Sequence, residues 1–507
     1  MHDESIEGGH VSPPTECLAG KEAHSNHIEI TPARATNTPL APEHRQFLLD
    51  HHGTIHLTPI PSQDPDDPLN WPAWKKNVNL ALVAFHGLMS TGGAVAVVPA
   101  FEDWSKKFDI SIETASLLGS AQMITLAIGP LIWLPFANQY GRRPVWILST
   151  LGGGLFNIGC ALSDTYAVLM VLRILQAFFI SPGIAMGQAV VAETFFSHQR
   201  ARKMGVWTPP MGPFAMGFVV QHLTWQWMFW IMAIINFMQM ISYFFFSFET
   251  LYSRNISNPS THVQTTWQQY LNFRKISTES LTWSDILLPL YLLADYRVLL
   301  TAVAYTVTFN FTLVLLTVEI PTFFIPMFHL NAQQIGINFL GLFVGCTLGE
   351  LIGGRLSDYV QNRRSKSAQN SLSSPETRLL LSYPGNLLAI AGIVIFCVTL
   401  AEAKPLHWNI SPVIGIGVAG FGVQILTTTV ITYCSDCHRE ATSSALGVGI
   451  NFVRCTWGFI GPFWFPHMFD SCGLRGSAGV MTGVIVAFSL IPVGLVQLIT
   501  ARSSRHS

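Results

Sequence analysis

Asn138-Gln-Tyr-Gly-Arg-Arg143 lies between an apolar run at 115–136 and another at 145–163, and Gly354-Arg-Leu-Ser-Asp358, followed by Arg363-Arg364, closes the run at 335–354. Each is a short turn in which a polar or acidic residue precedes an arginine pair. Arginine is costly in hydrocarbon, so each turn pins the ends of its flanking apolar segments at a membrane surface. Two such turns, one in each half of the chain, point to a repeated helical membrane architecture.

The rest of the chain extends this pattern. A hydrocarbon core of ~30 Å needs ~20 apolar residues in helix. Runs of suitable length lie at 77–99, 115–136, 145–163, 168–191, 204–221, 226–247, 298–318, 335–354, 379–400, 412–432, 443–466 and 477–499. With the N-terminus in the cytoplasm, Arg142, Arg143, Arg200, Arg202, Lys203, Arg297, Arg363, Arg364 and Arg439 all fall in inside loops. The outside loops then hold only Lys106, Lys107, Lys404 and Arg475, as the positive-inside rule requires. The expected fold is therefore an all-α membrane protein of twelve transmembrane helices in two pseudo-symmetric six-helix halves, with both termini cytoplasmic.

Composition agrees. Half of the 507 residues are hydrophobic and 11% are charged, against about a quarter charged in soluble domains. A formal net charge of -1 gives no basic footprint for nucleic acid. The 8 cysteines are scattered and suggest no disulfide framework. Residues 1–75 are polar and read as a disordered cytoplasmic tail, so the first span is expected to act as an uncleaved insertion signal. The tail ends at Asp64 to Lys76, where Trp71, Trp74, Lys75 and Lys76 suit a headgroup-level anchor. The organisation that follows is an N-terminal half at 76–249, a cytoplasmic loop at 250–297, a C-terminal half at 298–500 and a tail at 501–507.

The halves share further punctuation: Gly212-Pro213-Phe214 in the fifth span matches Gly461-Pro462-Phe463 in the eleventh. Such self-similarity marks transporters whose substrate site lies near the midplane between repeats. The turn from Asn138 through Gly141, Arg142 and Arg143 resembles the loop motif of the major facilitator superfamily, with Leu134 in place of its Gly and Asn138 in place of its Asp. Arg173-Ile-Leu-Gln176-Ala177 is similar to that family's fourth-span arginine motif. Gly212-Pro213 with Gly217 resembles the fifth-span motif of proton antiporters. The stretches Asp64 to Lys76 and Gly458 to Pro466 look like the fungal multidrug-resistance branch of drug:proton antiporters. The resemblance implies proton-driven export of a small organic molecule (a drug, toxin or secondary metabolite) by a plasma-membrane monomer using no cofactor. Uptake of a cationic nutrient such as a polyamine, or a non-transporting membrane sensor, are the alternatives.

The candidate gating residues are Asn138, Gly141, Arg142 and Arg143 with Asp358, Arg363 and Arg364. The alternative role for these arginines is topology anchoring alone. Arg173 and Arg454 are charges inside spans and need interior partners. Asn451 lies three residues before Arg454 on the same helix face. Glu350, an acid within the eighth span, is the candidate proton carrier, because a carboxyl group in low-dielectric surroundings retains its proton more readily than in water. The bland reading pairs it at the cytoplasmic surface. His86 and Gln188 complete the candidate pathway, each otherwise a hydrogen-bonded packing residue. Gly212, Pro213 and Gly217 form the candidate helix break. Asn409-Ile-Ser411 is the one glycosylation sequon in a predicted outside loop. Cys434-Ser-Asp-Cys437 is half a zinc site with no second pair, so no metal is expected. The absence of a Walker-type loop argues against direct ATP drive.

One mismatch remains. Arg200 and Gly212 are 12 positions apart, while Arg439 and Gly461 in the matching span are 22 apart. Met204 to Gln221 then reaches only ~27 Å at 1.5 Å per residue, and includes Pro209, Pro210 and Pro213. The fifth helix is expected to be unusually short. Either the bilayer thins there, or a misplaced splice junction has removed a segment.

Overall fold

The computed structural model describes residues 41–55, 57, 59–196, 211–252, 281–367, 375–437 and 443–506. Within them the chain is helical and without strands. A helix lies at each of the twelve predicted spans. Among the described residues nine helical stretches are long and apolar enough to cross a membrane, and one of these, Ser444–Thr500, holds two spans. The remaining two are the fourth and fifth.

Local chemistry sets the boundaries. Ser111 begins the second span, Ile112–Tyr140, with its hydroxyl accepting from the Thr114 amide at 3.0 Å. Gly141, at φ 98, turns the chain into the third span, Arg142–Ala161; glycine tolerates this conformation where other residues strain. Gly473, at φ 64, separates the eleventh span from the twelfth. The fourth span is broken into Tyr166–Ile180, Pro182–Ala185 and Gly187–Thr194, because Pro182 lacks the amide that would continue the ladder. The break packs tightly on the first span, Ala73–Val95: a β-carbon on Gly183 would lie 2.8 Å from the His86 carbonyl oxygen.

The seventh span outruns its expected end at 318. Tyr296–Phe309 continues through a π-helical turn, Asn310–Val314, into Leu315–Phe328, carrying Pro321 and Pro326 within it. In the fifth span the described helix is Gly212–His222, 11 residues and ~16 Å long. Met204 to Pro210 lie outside the described residues.

The expected disordered tail is corrected from residue 41 onward. Pro42–His52 is helical, and Leu48, Leu57 and Leu69 bury themselves against Phe196 at the end of the fourth span. Burial of these scattered leucines offsets the ordering cost that composition alone predicted would win. Asp67 accepts from the amides of Leu69 and Ser62, and Tyr252 donates to Asp64 at 2.8 Å. The expected headgroup anchor is corrected in part. Trp71 is 7% exposed and packs on Phe248, while Trp74 faces outward at 61%. Lys76 donates to the Leu69 carbonyl at 2.7 Å rather than reaching to a headgroup.

The two halves meet mainly where the second span packs on the eleventh (from Ser443) and the fifth on the eighth, Ala332–Ser367. Both contacts rest on small residues or aliphatic faces. A β-carbon on Gly217 would sit 2.7 Å from the Ala332 carbonyl oxygen, and one on Gly336 would sit 2.7 Å from the Pro213 carbonyl oxygen. Leu131 and Leu134 meet Ala445 and Val448 in one apolar cluster. At the opposite end, Val97, Val98 and Phe101 share a cluster with Leu315, Leu316, Ile320 and Phe324 of the seventh span.

Candidate functional site

A cavity of about 290 Å³ lies between the halves. The first, second and fourth spans wall it on one side; the seventh, eighth, tenth (Ser411–Cys437) and eleventh wall it on the other. Most of its surface is aliphatic or aromatic. The hydroxyls of Thr427, Thr428 and Thr432 on the tenth span donate back to carbonyls one turn earlier, so their donors are spent within the helix.

Two charged side chains reach this wall, Glu350 and Arg454. Glu350 sits on the eighth span and receives a long bond of 3.4 Å from Gln424 Nε2. It lines the cavity rather than pairing at a surface. Arg454 is held firmly. Its Nη1 donates to Tyr305 at 3.1 Å, its Nη2 to Asn451 Oδ1 at 2.6 Å, and its guanidinium lies 4.9 Å from the Phe309 ring centre. Asn451 in turn donates across the half interface to the Leu126 carbonyl at 2.9 Å. Arg454, Asn451 and Leu126 therefore tie the cavity wall to the contact between second and eleventh spans. The expected three-residue spacing of Asn451 and Arg454 is realised; the contribution of Tyr305 was missed, because a span tyrosine carries no signal without its partner.

Arg173 is elsewhere. It is fully buried in the N-terminal half, with no hydrogen-bond partner on Nε, Nη1 or Nη2 among the described residues, and faces the Phe229 ring at 5.8 Å. His86 lies inside the same half, bonded to Tyr243 at 3.3 Å and Ser149 at 3.1 Å and packed against Trp146, so it does not line the cavity. Gln188 is on the helix Gly187–Thr194, but its side chain lies outside the described residues.

The arginine turn is a built cluster. Arg142 is 2% exposed and pairs with Glu193 through Nη2 at 3.0 Å and Nε at 3.3 Å. Thr250 donates to the other Glu193 oxygen at 2.6 Å. Glu249 caps the third span: its two carboxylate oxygens accept from the amides of Arg142 and Arg143 at 2.9 and 3.0 Å. Arg143 Nη2 donates to the Phe244 carbonyl at 2.7 Å. Burial pushes the Glu249 carboxyl up from its ordinary pKa, and the bonds from Leu251, Arg142 and Arg143 pull the other way. Glu249 was missed, since more than a hundred residues separate it from the amides it caps. Asn138 ends the second span before this turn. Asp358, Arg363 and Arg364 lie on the extended eighth-span helix, so their segment continues the helix instead of turning as expected. Their side chains lie outside the described residues.

Gly212 and Pro213 stand at the start of the described fifth-span helix, and the residues before Met211 lie outside the described residues. Gly212 is where that helix touches the first span, with the Gly92 carbonyl oxygen 2.6 Å from where a β-carbon would stand. Asn409 is exposed beside the tenth span, accepting from Ser411 of its own sequon at 3.1 Å. Among the described residues no group of three or more His, Cys, Asp or Glu could hold a metal ion.

A further acid went unread. Glu319 is 1% exposed on the extended part of the seventh span, directly after the cavity-lining Thr317 and Val318. The cost of a charge in hydrocarbon would have marked it, but the span was expected to end one residue earlier.

Known proteins place this architecture. The crystal structure of the human organic anion transporter MFSD10 (TETRAN) shares the fold, with a TM-score of 0.54 at 16% identity over 83% of this chain and 97% of that one. MFS transporter fsa7 of Fusarium sp. (strain FN080326) is 27% identical, with 85% of each chain covered. The Major facilitator superfamily multidrug transporter FLU1 of Candida albicans is 25% identical over 87% of this chain and 74% of its own length. With residues 81–462 also matching the Major Facilitator Superfamily family model, the chain belongs to that superfamily and is a multi-pass membrane transporter, not an enzyme.

Proposed function

We propose that the chain exports small organic molecules in exchange for protons, by alternating access of the cavity between its halves. The observation that carries this reading is Glu350, a carboxyl group on an apolar cavity wall that accepts a long 3.4 Å hydrogen bond from the neutral amide of Gln424. A carboxylate in such a place gains from binding either a proton or a cationic substrate, and competition between the two is the elementary form of antiport. The aliphatic and aromatic wall favours hydrophobic organic molecules over sugars or inorganic ions. The related multidrug transporter supports the export direction.

The same carboxylate suits proton-driven uptake of an organic cation, and direction separates the two. The test is efflux of a lipophilic cationic dye from fungal cells that overexpress the chain, with and without a protonophore. Export predicts lower retained dye that returns to the control level on collapse of the gradient. Glu350→Gln should leave dye retention the same with and without the protonophore. Increased dye retention would favour uptake, and unchanged retention with a correctly localised protein would refute transport of this class.

A further inference from the structure

We infer that Glu319 is a proton-binding gate residue at the end of the cavity opposite the arginine turn, distinct from Glu350. This rests on the proton-coupled reading above and adds a second site to it. The placement is geometric. Tyr305, which holds Arg454, and Glu319 are on one helix, 14 positions and ~21 Å apart. Between them Phe309, Leu313, Val314 and Thr317 line the cavity. Glu319 therefore stands at the far end of that wall.

At this end the halves are in contact. Val97, Val98 and Phe101 of the first span pack in one cluster with Leu315, Leu316 and Ile320, the immediate neighbours of Glu319. Glu319 is buried there to 1% exposure, and its Oε1 has no hydrogen-bond partner among the described residues. Among the described residues, the charged groups that act on it electrostatically are both negative, the exposed Glu113 at the start of the second span and the exposed Asp470 on the eleventh. One belongs to each half. An ionised carboxylate buried without a partner, under the field of like charges, opposes the contact that buries it. Parting of the halves would return it to water. Proton binding at Glu319 thus favours closure at this end, and proton loss favours opening. Glu350, on a different helix deeper in the cavity, is then free to exchange with substrate.

The test uses the full chain in nanodiscs, with its native cysteines replaced and a single Val98→Cys reporter, since Val98 is 3% exposed in the closed contact. The rate of maleimide labelling, divided at each pH by the rate at a permanently exposed reporter cysteine so that thiol ionisation cancels, reports opening at this end. It should rise between pH 5.5 and 8 by up to about tenfold per pH unit, the limit for one carboxyl group coupled to a two-state gate. Glu319→Gln should label slowly and without pH dependence. Glu319→Asp keeps the carboxyl and should keep the dependence, which separates loss of the proton site from misfolding. Identical profiles in wild type and Glu319→Gln overturn the gate assignment while leaving proton coupling intact. A flat profile in a monodisperse Glu319→Asp overturns it as well. If wild-type substrate flux in proteoliposomes ignores an imposed pH gradient, the proton-coupled reading falls first and the gate assignment with it.

Discussion

Arg142 and Arg143 are adjacent in sequence but do different work. Arg142 neutralises Glu193 from an almost fully buried position, while Arg143 reaches a backbone carbonyl of the sixth span (Trp225–Phe246), and both amides are capped by Glu249. The turn thus joins the ends of the third, fourth and sixth spans. Arg142→Ala should lower the apparent Tm in detergent more than Arg143→Ala. Removing one partner of a buried pair costs about 3–5 kcal/mol, and Glu193 at 20% exposure places this one at the lower end. Arg142→Lys should recover part of the loss, because the charge returns without the guanidinium's two donors. Differential scanning fluorimetry of the purified variants checks both. The arginines were legible in sequence because charge beside long apolar runs is rare. Their partners were not: Glu193 and Glu249 lie 51 and 107 positions from Arg142, and no local pattern encodes such pairings.

Among the elements, the fifth span sets the question. Its described helix contacts the first span through Gly212 and the eighth through Gly217, so two of its small residues are fixed by neighbouring backbone. Gly217→Val should force the Ala332 carbonyl away and lower the yield of monodisperse protein, by the ~1–3 kcal/mol typical of overpacking. Gly119→Ala, with nothing within 4 Å of the added methyl group, should be neutral by the same gel-filtration assay. Sequencing the mature transcript across codons 195–225 tests the shortness itself. Seven to ten additional residues before Pro209 would give the fifth span the length of its repeat; an unchanged transcript would make the short helix a property of the protein. Span positions were legible from apolar length, but the ends were not where prolines intervened. The apolar run was expected to end at 318, yet the helix continues through Pro321 and Pro326 to Phe328, because packing within the bundle tolerates the lost amides. The tail erred the other way: three leucines and Phe196 order a segment whose overall composition is polar.

At the scale of the whole molecule, the repeat seen in two arginine turns becomes two half-bundles enclosing a cavity, with Glu350 and Arg454 on one wall and Glu319 beyond its far end. Sequence periodicity and charge placed the halves and named both cavity charges. They could not say that Arg173 and His86 face the interior of one half, because a helix in a bundle has several buried faces and hydropathy does not distinguish them. The separation predicts that Arg173→Lys should alter stability before coupling, while Glu350→Gln should alter coupling at unchanged Tm. The most direct test of proton-coupled transport through this cavity is flux of a lipophilic organic cation by purified protein in proteoliposomes, with a pH gradient imposed and no other driving force. The account predicts uphill movement that reverses when the gradient is reversed and stops in Glu350→Gln; equal flux with and without the gradient, unaffected by that substitution, would contradict it.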